Sequence, residues 1–178
     1  MDVVQRTRGT ERARGSGKPS RESIRTKPGV VHGPSGAISF IAVFRAEPLA
    51  RVQMIKDGVP ATYIDELASQ MHMPKDRLLR GLGLSAATVS RKVRQAKLLS
   101  RDESERALGM ARMVGQVQAM VEESGDPEGF NAAAWVANWL DEPLEAFGGR
   151  RPAELMDTAK GQAMVSNLLA RMQSGAYA

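Results

Sequence analysis

Between residues 48 and 173 the apolar side chains recur at spacings of three and four, and a glycine or proline punctuates nearly every run. That period follows the 3.6-residue helical turn rather than the alternation of a strand, so the chain must bury one-sided helices against one another. Ile64, Leu67, Ala68 and Met71 make one such face. Val89 and Val93 make another, and Met110, Val114, Val117 and Met120 or Val121 a third. Aromatic residues are only 4% of the 178, so the core must come from Leu, Val, Ala and Met. Ala, Leu and Met are good helix formers, whereas strands draw on β-branched and aromatic residues. The expected fold is all-α.

Local signals divide the chain further. Residues 1–36 are rich in Arg, Ser, Thr, Gly and Pro and nearly empty of large apolar side chains, so they cannot offset the entropy of ordering. They are expected to form a disordered basic tail. Its eight cations (Arg6, Arg8, Arg12, Arg14, Lys18, Arg21, Arg25, Lys27) either add phosphate affinity or serve as a solubilising extension. Residues 38–44 alone have strand-like composition; they pair locally or enter as a helical segment. Pro48 opens a helix over 48–56 and Gly58 ends it. Thr62 is placed to cap a helix over 63–71, with Glu66 near the capping-box position, and Pro74 opens a third. Gly83-Leu84-Ser85 reads as a turn and an N-cap, followed by a helix over 86–97. Ser100 or Asp102 caps a long helix over 103–123, which Gly125-Asp126-Pro127 breaks. Further helices are expected over 130–140 and 153–156, with a last one running from an Asp157 or Thr158 cap to Gln173.

Charge is unequal along the chain. Residues 1–100 carry 18 Lys and Arg against 8 Asp and Glu; residues 101–178 carry 7 against 12. A basic half suits a polyanion and an acidic half suits a basic protein. Cysteine is absent, which excludes disulfides and thiolate metal sites and fits a reducing compartment. No apolar run approaches the roughly 20 residues that span a bilayer, and no apolar h-region follows the N-terminus. A cytoplasmic location is expected.

Enzyme chemistry finds little support. His32 and His72 have no companion ligands at metal spacing, Ser85 and Ser90 lack triad partners, and Glu103, Glu105, Glu122 and Glu123 sit at helix ends where solvation explains them. Trp135 and Trp139, one turn apart, read as packing residues. Gly148-Gly149 is a turn, since a phosphate loop needs more glycines and a following lysine. Neither catalysis nor a cofactor is expected.

Residues 76–82, the Gly83 turn and residues 85–97 have the spacing of a helix-turn-helix, whose second helix presents its N-terminal half to base edges. Ser85, Thr88, Arg91, Lys92, Arg94 and Gln95 lie on or near its outer face and are the candidate DNA contacts. Arg and Gln side chains make bidentate base contacts, and any of these residues can reach phosphate. A second register, with 63–71 as first helix and 74–80 as reader, fits the same residues. So does a plain helical hairpin with a solvated basic face.

The order of short motifs after Leu98 points to a family. Leu99-Ser100, Glu103-Ser104-Glu105-Arg106, Trp139-Leu140, Pro143-Leu144, Gly148-Gly149, Pro152-Ala153-Glu154-Leu155 and Thr158-Ala159-Lys160-Gly161 follow one another as they do in the Xre/ParS/MbcA antitoxins. The chain resembles that family over roughly residues 45–178. The resemblance implies an Xre/Cro-like helix-turn-helix bundle over 37–99 and a small helical toxin-binding domain over 100–178, with residues 100–124 also dimerising. It implies a type II antitoxin that acts as a homodimer, binds operator double-stranded DNA and represses its own operon. It also implies hetero-oligomers with a RES-type toxin that consumes NAD or transfers ADP-ribose from it. Neutralisation would insert the C-terminal segment toward the toxin's active site. Thr158, Arg171, Gln173, Tyr177 and Ala178 are then the candidate toxin contacts. Arg171 serves equally as a cation at a helix C-terminus. One departure stands out: relatives often carry Arg-Thr-Leu-x-Arg-Arg where this chain has Ala87-Thr88-Val89-Ser90-Arg91-Lys92. The alternatives to an antitoxin are a freestanding helix-turn-helix regulator with no toxin, or a small adaptor whose basic half is incidental.

Overall fold

In a computed structural model, Met1, residues 38–125 and residues 127–174 are described; the expected basic tail lies outside them. The described chain is helical: α1 (Phe40–Arg45), α2 (Pro48–Asp57), α3 (Tyr63–Gln70), α4 (Lys75–Gly81), α5 (Ala86–Arg94), α6 (Arg101–Ser124), α7 (Ala132–Trp139) and α8 (Ala159–Gln173). Two short 3-10 turns, Glu145–Phe147 and Pro152–Leu155, link α7 to α8.

The fold is organised around α6. Its start is doubly capped: the Ser100 hydroxyl accepts from the Glu103 N–H, and the Glu103 carboxylate accepts from the Ser100 N–H at 2.6 Å. Gly125, at φ 93°, ends the helix in the left-handed region. Between these ends Ala107, Leu108, Met110, Ala111, Met113, Val114 and Val117 are all buried, a stripe too wide for one neighbour. Helices α1, α2, α3, α7 and α8 all lean on it. The Met110–Val117 stripe is thereby committed to the core of a single chain. One continuous core joins Leu67, Leu79 and Val89 to Val136, Val165 and Leu169, so the two expected domains share their packing through α6.

Two glycines set how closely the helices approach. A Cβ on Gly115 would lie 2.1 Å from the Phe40 carbonyl oxygen, so α1 crosses α6 in backbone contact there. A Cβ on Gly109 would lie 1.7 Å from the Gln162 side-chain oxygen. Three buried polar side chains, Ser104, Gln116 and Gln162, are hydrogen-bonded, as burial requires, whereas the Arg112 Nε on α6 is buried without a partner among the described residues. Ser104 accepts from the Val59 N–H, Gln116 donates to the Ser166 carbonyl, and Gln162 donates to the carbonyls of Arg106 and Met156.

Most helix boundaries follow the punctuation, with four revisions. Residues 38–44 are not a strand: Ser39 caps α1, and Phe40 and Val43 pack inward. Thr62 makes no side-chain cap; it sits in helical conformation before α3. Of the alternative caps, Ser100 and Thr158 make the bonds. Helix α5 stops at Arg94 rather than near Lys97, and Ala96 turns the chain at φ 49°. The released residues pair back across the core, with the Ala61 N–H donating to Lys97 and the Leu99 N–H to Val59. Tertiary pairing outweighs the last turn of helix.

Candidate DNA and partner-protein interfaces

The turn between α4 and α5 is built by Gly83, at φ 60°, and by the Leu84 N–H donating to the Leu79 carbonyl at 2.8 Å. Ser85 then caps α5, its hydroxyl accepting from the Thr88 N–H. Val89 is buried completely and Val93 packs against the core, so the opposite face of α5 turns to solvent. Ser85, Arg91, Arg94 and Gln95 are exposed there and Thr88 is half-buried beside them. Small Ala86 and Ala87 leave the start of the helix open to a close approach.

Lys92 departs from the expected outer face. Its ammonium turns toward α6 and pairs with the Glu103 carboxylate, with side chains only 18% and 13% exposed. Glu103 thus closes the α6 capping box and anchors α5 at once. Burial pushes the Glu103 carboxyl up, but the Lys92 ammonium and the Ser100 N–H and hydroxyl together hold it below the usual carboxylate range. A depressed folded value contributes stability above the ordinary carboxylate pKa, and that stability fades as pH falls through the folded value. In a pH series of thermal melts, the stability gap between wild type and Glu103→Gln should hold near neutrality and close below about pH 4. A gap that is flat down to acid unfolding would contradict this pairing.

Arg106, one turn into α6, clamps the turn between α4 and α5. Its Nη1 donates to the Leu82 carbonyl at 2.9 Å and the Gly83 carbonyl at 3.0 Å. Two of the three cations of α4 are engaged within the protein, and the third, Arg80, is exposed without an acidic partner among the described residues. Lys75 pairs with Asp65, while Arg77 donates to the Ala137 carbonyl at 2.7 Å and pairs with Asp141. Among the described residues Arg91 and Arg94 have no acidic partner.

On the acidic side, the Thr-x-x-Gly motif is structural. Thr158 accepts from the Gly161 N–H at 3.0 Å, capping α8, and a Cβ on Gly161 would lie 1.9 Å from the Leu155 carbonyl oxygen. Gly148 and Gly149, at φ 66° and 78°, reverse the chain between Leu144 and Arg150. The Ala153 N–H then ties the following turn to the Leu140 carbonyl. Arg171 is exposed on the last turn of α8, and Gln173 donates to Glu123 across to α6 at 2.9 Å. Tyr177 and Ala178 lie outside the described residues. Trp135 and Trp139 stack at 5.6 Å between centroids, with Trp139 buried as a packing residue.

Arg106, Gln162 and the inward Lys92 escaped sequence reasoning because their partners lie far along the chain or on another helix. The Ser100-x-x-Glu103 spacing was the available signal for the capping box. None marked the cleft that Phe130, Trp135 and Met172 line together.

A helix-turn-helix whose outer face is basic, fused through one long helix to an acidic helical module, defines a DNA-binding protein with a second, protein-directed surface. The comparisons with known proteins carry this further. Residues 50–112 match the antitoxin Xre-like helix-turn-helix domain, and residues 118–175 match the antitoxin Xre/MbcA/ParS C-terminal toxin-binding domain. The chain is 44% identical over 140 residues to a Prs ADP-ribosylating antitoxin of Sphingobium sp., spanning 79% of this chain and 88% of that protein. It is 28% identical to an antitoxin Xre of Yersinia enterocolitica over 71% of this chain and 80% of the relative. An antitoxin Xre of Photorhabdus laumondii is 25% identical over 68% and 77%. The chain belongs to the Xre/MbcA/ParS antitoxin family: it is the antitoxin of a toxin–antitoxin system, with a DNA-binding and a toxin-binding domain.

Proposed function

We propose that this type II antitoxin neutralises a RES-type toxin, one that consumes NAD or transfers ADP-ribose from it, and represses its own operon from the α5 face. The observation that carries the DNA half is the contrast in cations among the described residues: Lys75 and Arg77 of α4 are paired within the protein and Arg80 alone is exposed there without an acidic partner, whereas α5 turns both Arg91 and Arg94 to solvent unpaired. Ser85, Thr88, Arg91, Arg94 and Gln95 contact operator DNA, and Lys92 sets the pitch of α5 through Glu103. The protein acts in the cytoplasm, where DNA and NAD are found. It reads a two-fold operator as a homodimer, with half-sites about 34 Å apart or a multiple of that. Because α6 is covered by its own chain, the dimer contact falls elsewhere; Leu49 and Val52, one turn apart and exposed on α2, are apolar and free for it.

The toxin half rests on the matched toxin-binding domain and on the relative whose name couples antitoxin to ADP-ribosylation. Arg171, Gln173, Tyr177 and Ala178 reach the toxin, and Thr158 positions them by capping the helix that carries them. The purified product of the adjacent gene should consume NAD, and this chain should inhibit it stoichiometrically. An adjacent product with no NAD-dependent activity would return the chain to a freestanding regulator. Deleting residues 173–178 should leave DNA affinity unchanged, because the only described bond lost from this segment to another helix is the exposed Gln173–Glu123 contact. Inhibition should weaken, and full inhibition by the shortened chain would remove the terminus from the toxin contact.

A further inference from the structure

We propose that the apolar cleft between α6, α7 and α8 seats a basic, amphipathic segment of the partner toxin; this rests on the antitoxin reading above. Val117, Met120 and Val121 of α6, Phe130, Trp135 and Met172 line a cleft of about 300 Å³. That volume is at the small end of pockets that hold ligands, which run from about 300 to 1,000 Å³. Its apolar wall is open to solvent: Phe130 is 38% and Met172 41% exposed. Trp135 is held rigid by stacking on Trp139, with Phe130 6.4 Å away. Aromatic and methionine side chains gathered in this way favour an apolar guest, and tryptophan is prominent among residues that dominate binding.

Charge selects the guest. Exposed Glu122 and Glu123 directly follow the lining residue Val121 in α6, and exposed Glu128 precedes Phe130 by two residues. Glu122 pairs with Arg45, but Glu123 and Glu128 have no cationic partner among the described residues. Arg171, beside Met172, is the nearest cation along α8. The wider module holds 12 acidic against 7 basic residues. A second copy of this module would bring like charge to like, and an anionic lipid surface would be repelled. A segment with leucine-like side chains on one face and Lys or Arg on the other meets both the wall and the rim.

The chain has only two tryptophans, Trp135 in this wall and Trp139 stacked against it, so its emission reports occupancy. The full chain is titrated with a tryptophan-free Leu/Lys amphipathic helical peptide and with its Leu/Glu counterpart, and separately, by calorimetry, with the adjacent gene's product. The Leu/Lys peptide should shift the emission saturably and displace from the toxin, and the Leu/Glu peptide should do neither. Phe130→Glu with Met172→Glu, both at exposed sites, should weaken peptide and toxin by at least about tenfold while DNA affinity stays unchanged. Glu123→Lys with Glu128→Lys changes exposed side chains, losing only the exposed Gln173–Glu123 contact, and should weaken both as well, which keeps the test open if the first pair perturbs folding. Toxin binding that survives both variant pairs overturns the cleft and leaves the antitoxin reading intact. A wild-type chain that ignores the adjacent product overturns the antitoxin reading, and a missing response to the Leu/Lys peptide overturns the cleft on its own account. A self-association abolished by Phe130→Glu would assign the cleft to a second copy and overturn the proposal.

Discussion

Gly115→Val is expected to lower stability by about 3 kcal/mol, at the upper end of overpacking penalties. The added Cβ would meet the Phe40 carbonyl oxygen at 2.1 Å, its carbon at 2.6 Å and the Phe44 Cβ at 2.8 Å. Two of these are backbone atoms, so no side-chain rotation relieves them. Helix α1 must lift off α6, exposing Phe40 and Val43, which are now buried. Alanine at the same site should cost less, because replacing a helical glycine returns up to about 1 kcal/mol of helix propensity. Gly109→Ala differs in kind. It meets the Gln162 side chain, which can move at the expense of its bonds to Arg106 and Met156. Gly81 provides the control: a Cβ there meets nothing within 4 Å, so Gly81→Ala should be neutral or stabilising. At roughly 2–4 °C per kcal/mol for a chain of this size, the melting temperatures separate readily. A Gly115→Val protein that melts like wild type would disprove the close crossing of α1 on α6.

Arg91→Ala with Arg94→Ala is expected to weaken binding to the DNA upstream of the gene by about 100-fold, since each lost contact costs about 1–3 kcal/mol. If both side chains reach phosphate, the slope of log affinity against log salt should fall by about 2, close to one per contact. Lys92→Ala makes a sharper companion. Its ammonium is held by Glu103, so the variant should melt lower yet keep the wild-type salt slope. Lys75→Ala with Arg77→Ala addresses the alternative register, in which α4 reads the DNA. Both cations are paired within the protein, so their loss should cost stability more than affinity. Should the α4 pair abolish binding and the α5 pair spare it, α4 is the reader.

The legible parts of this fold were those with local causes. Pro48, Gly58, Pro74, Ser85, Gly125 and Thr158 each mark a helix end through chemistry contained within a few residues, and the structure places ends at all of them. The pairing of a reader with an acidic module was legible from charge and motif order. The illegible parts depend on distant partners. Nothing within 86–97 announces that Lys97 and Leu99 will pair with Ala61 and Val59, and that pairing shortens α5. A periodic stripe on α6 suits a dimer seam or a core equally well; five neighbouring helices of the same chain decide for the core. Lys92 sits among basic residues at outward spacing, yet Glu103, eleven positions on, draws it inward. Thr158, expected among the toxin contacts from motif order, caps α8 through its side chain, a role that only the folded helix makes visible.

Growth rescue tests the central claim most directly. The adjacent gene is induced alone, with this chain, and with its Arg91→Ala/Arg94→Ala variant, each antitoxin expressed from an unrelated promoter, while growth and cellular NAD are followed. The toxin alone should arrest growth and deplete NAD, and both forms of the chain should restore them, because neutralisation needs the acidic module and not the reader. A harmless neighbour, or a chain that binds DNA but gives no protection, would contradict neutralisation of a RES-type toxin as its function.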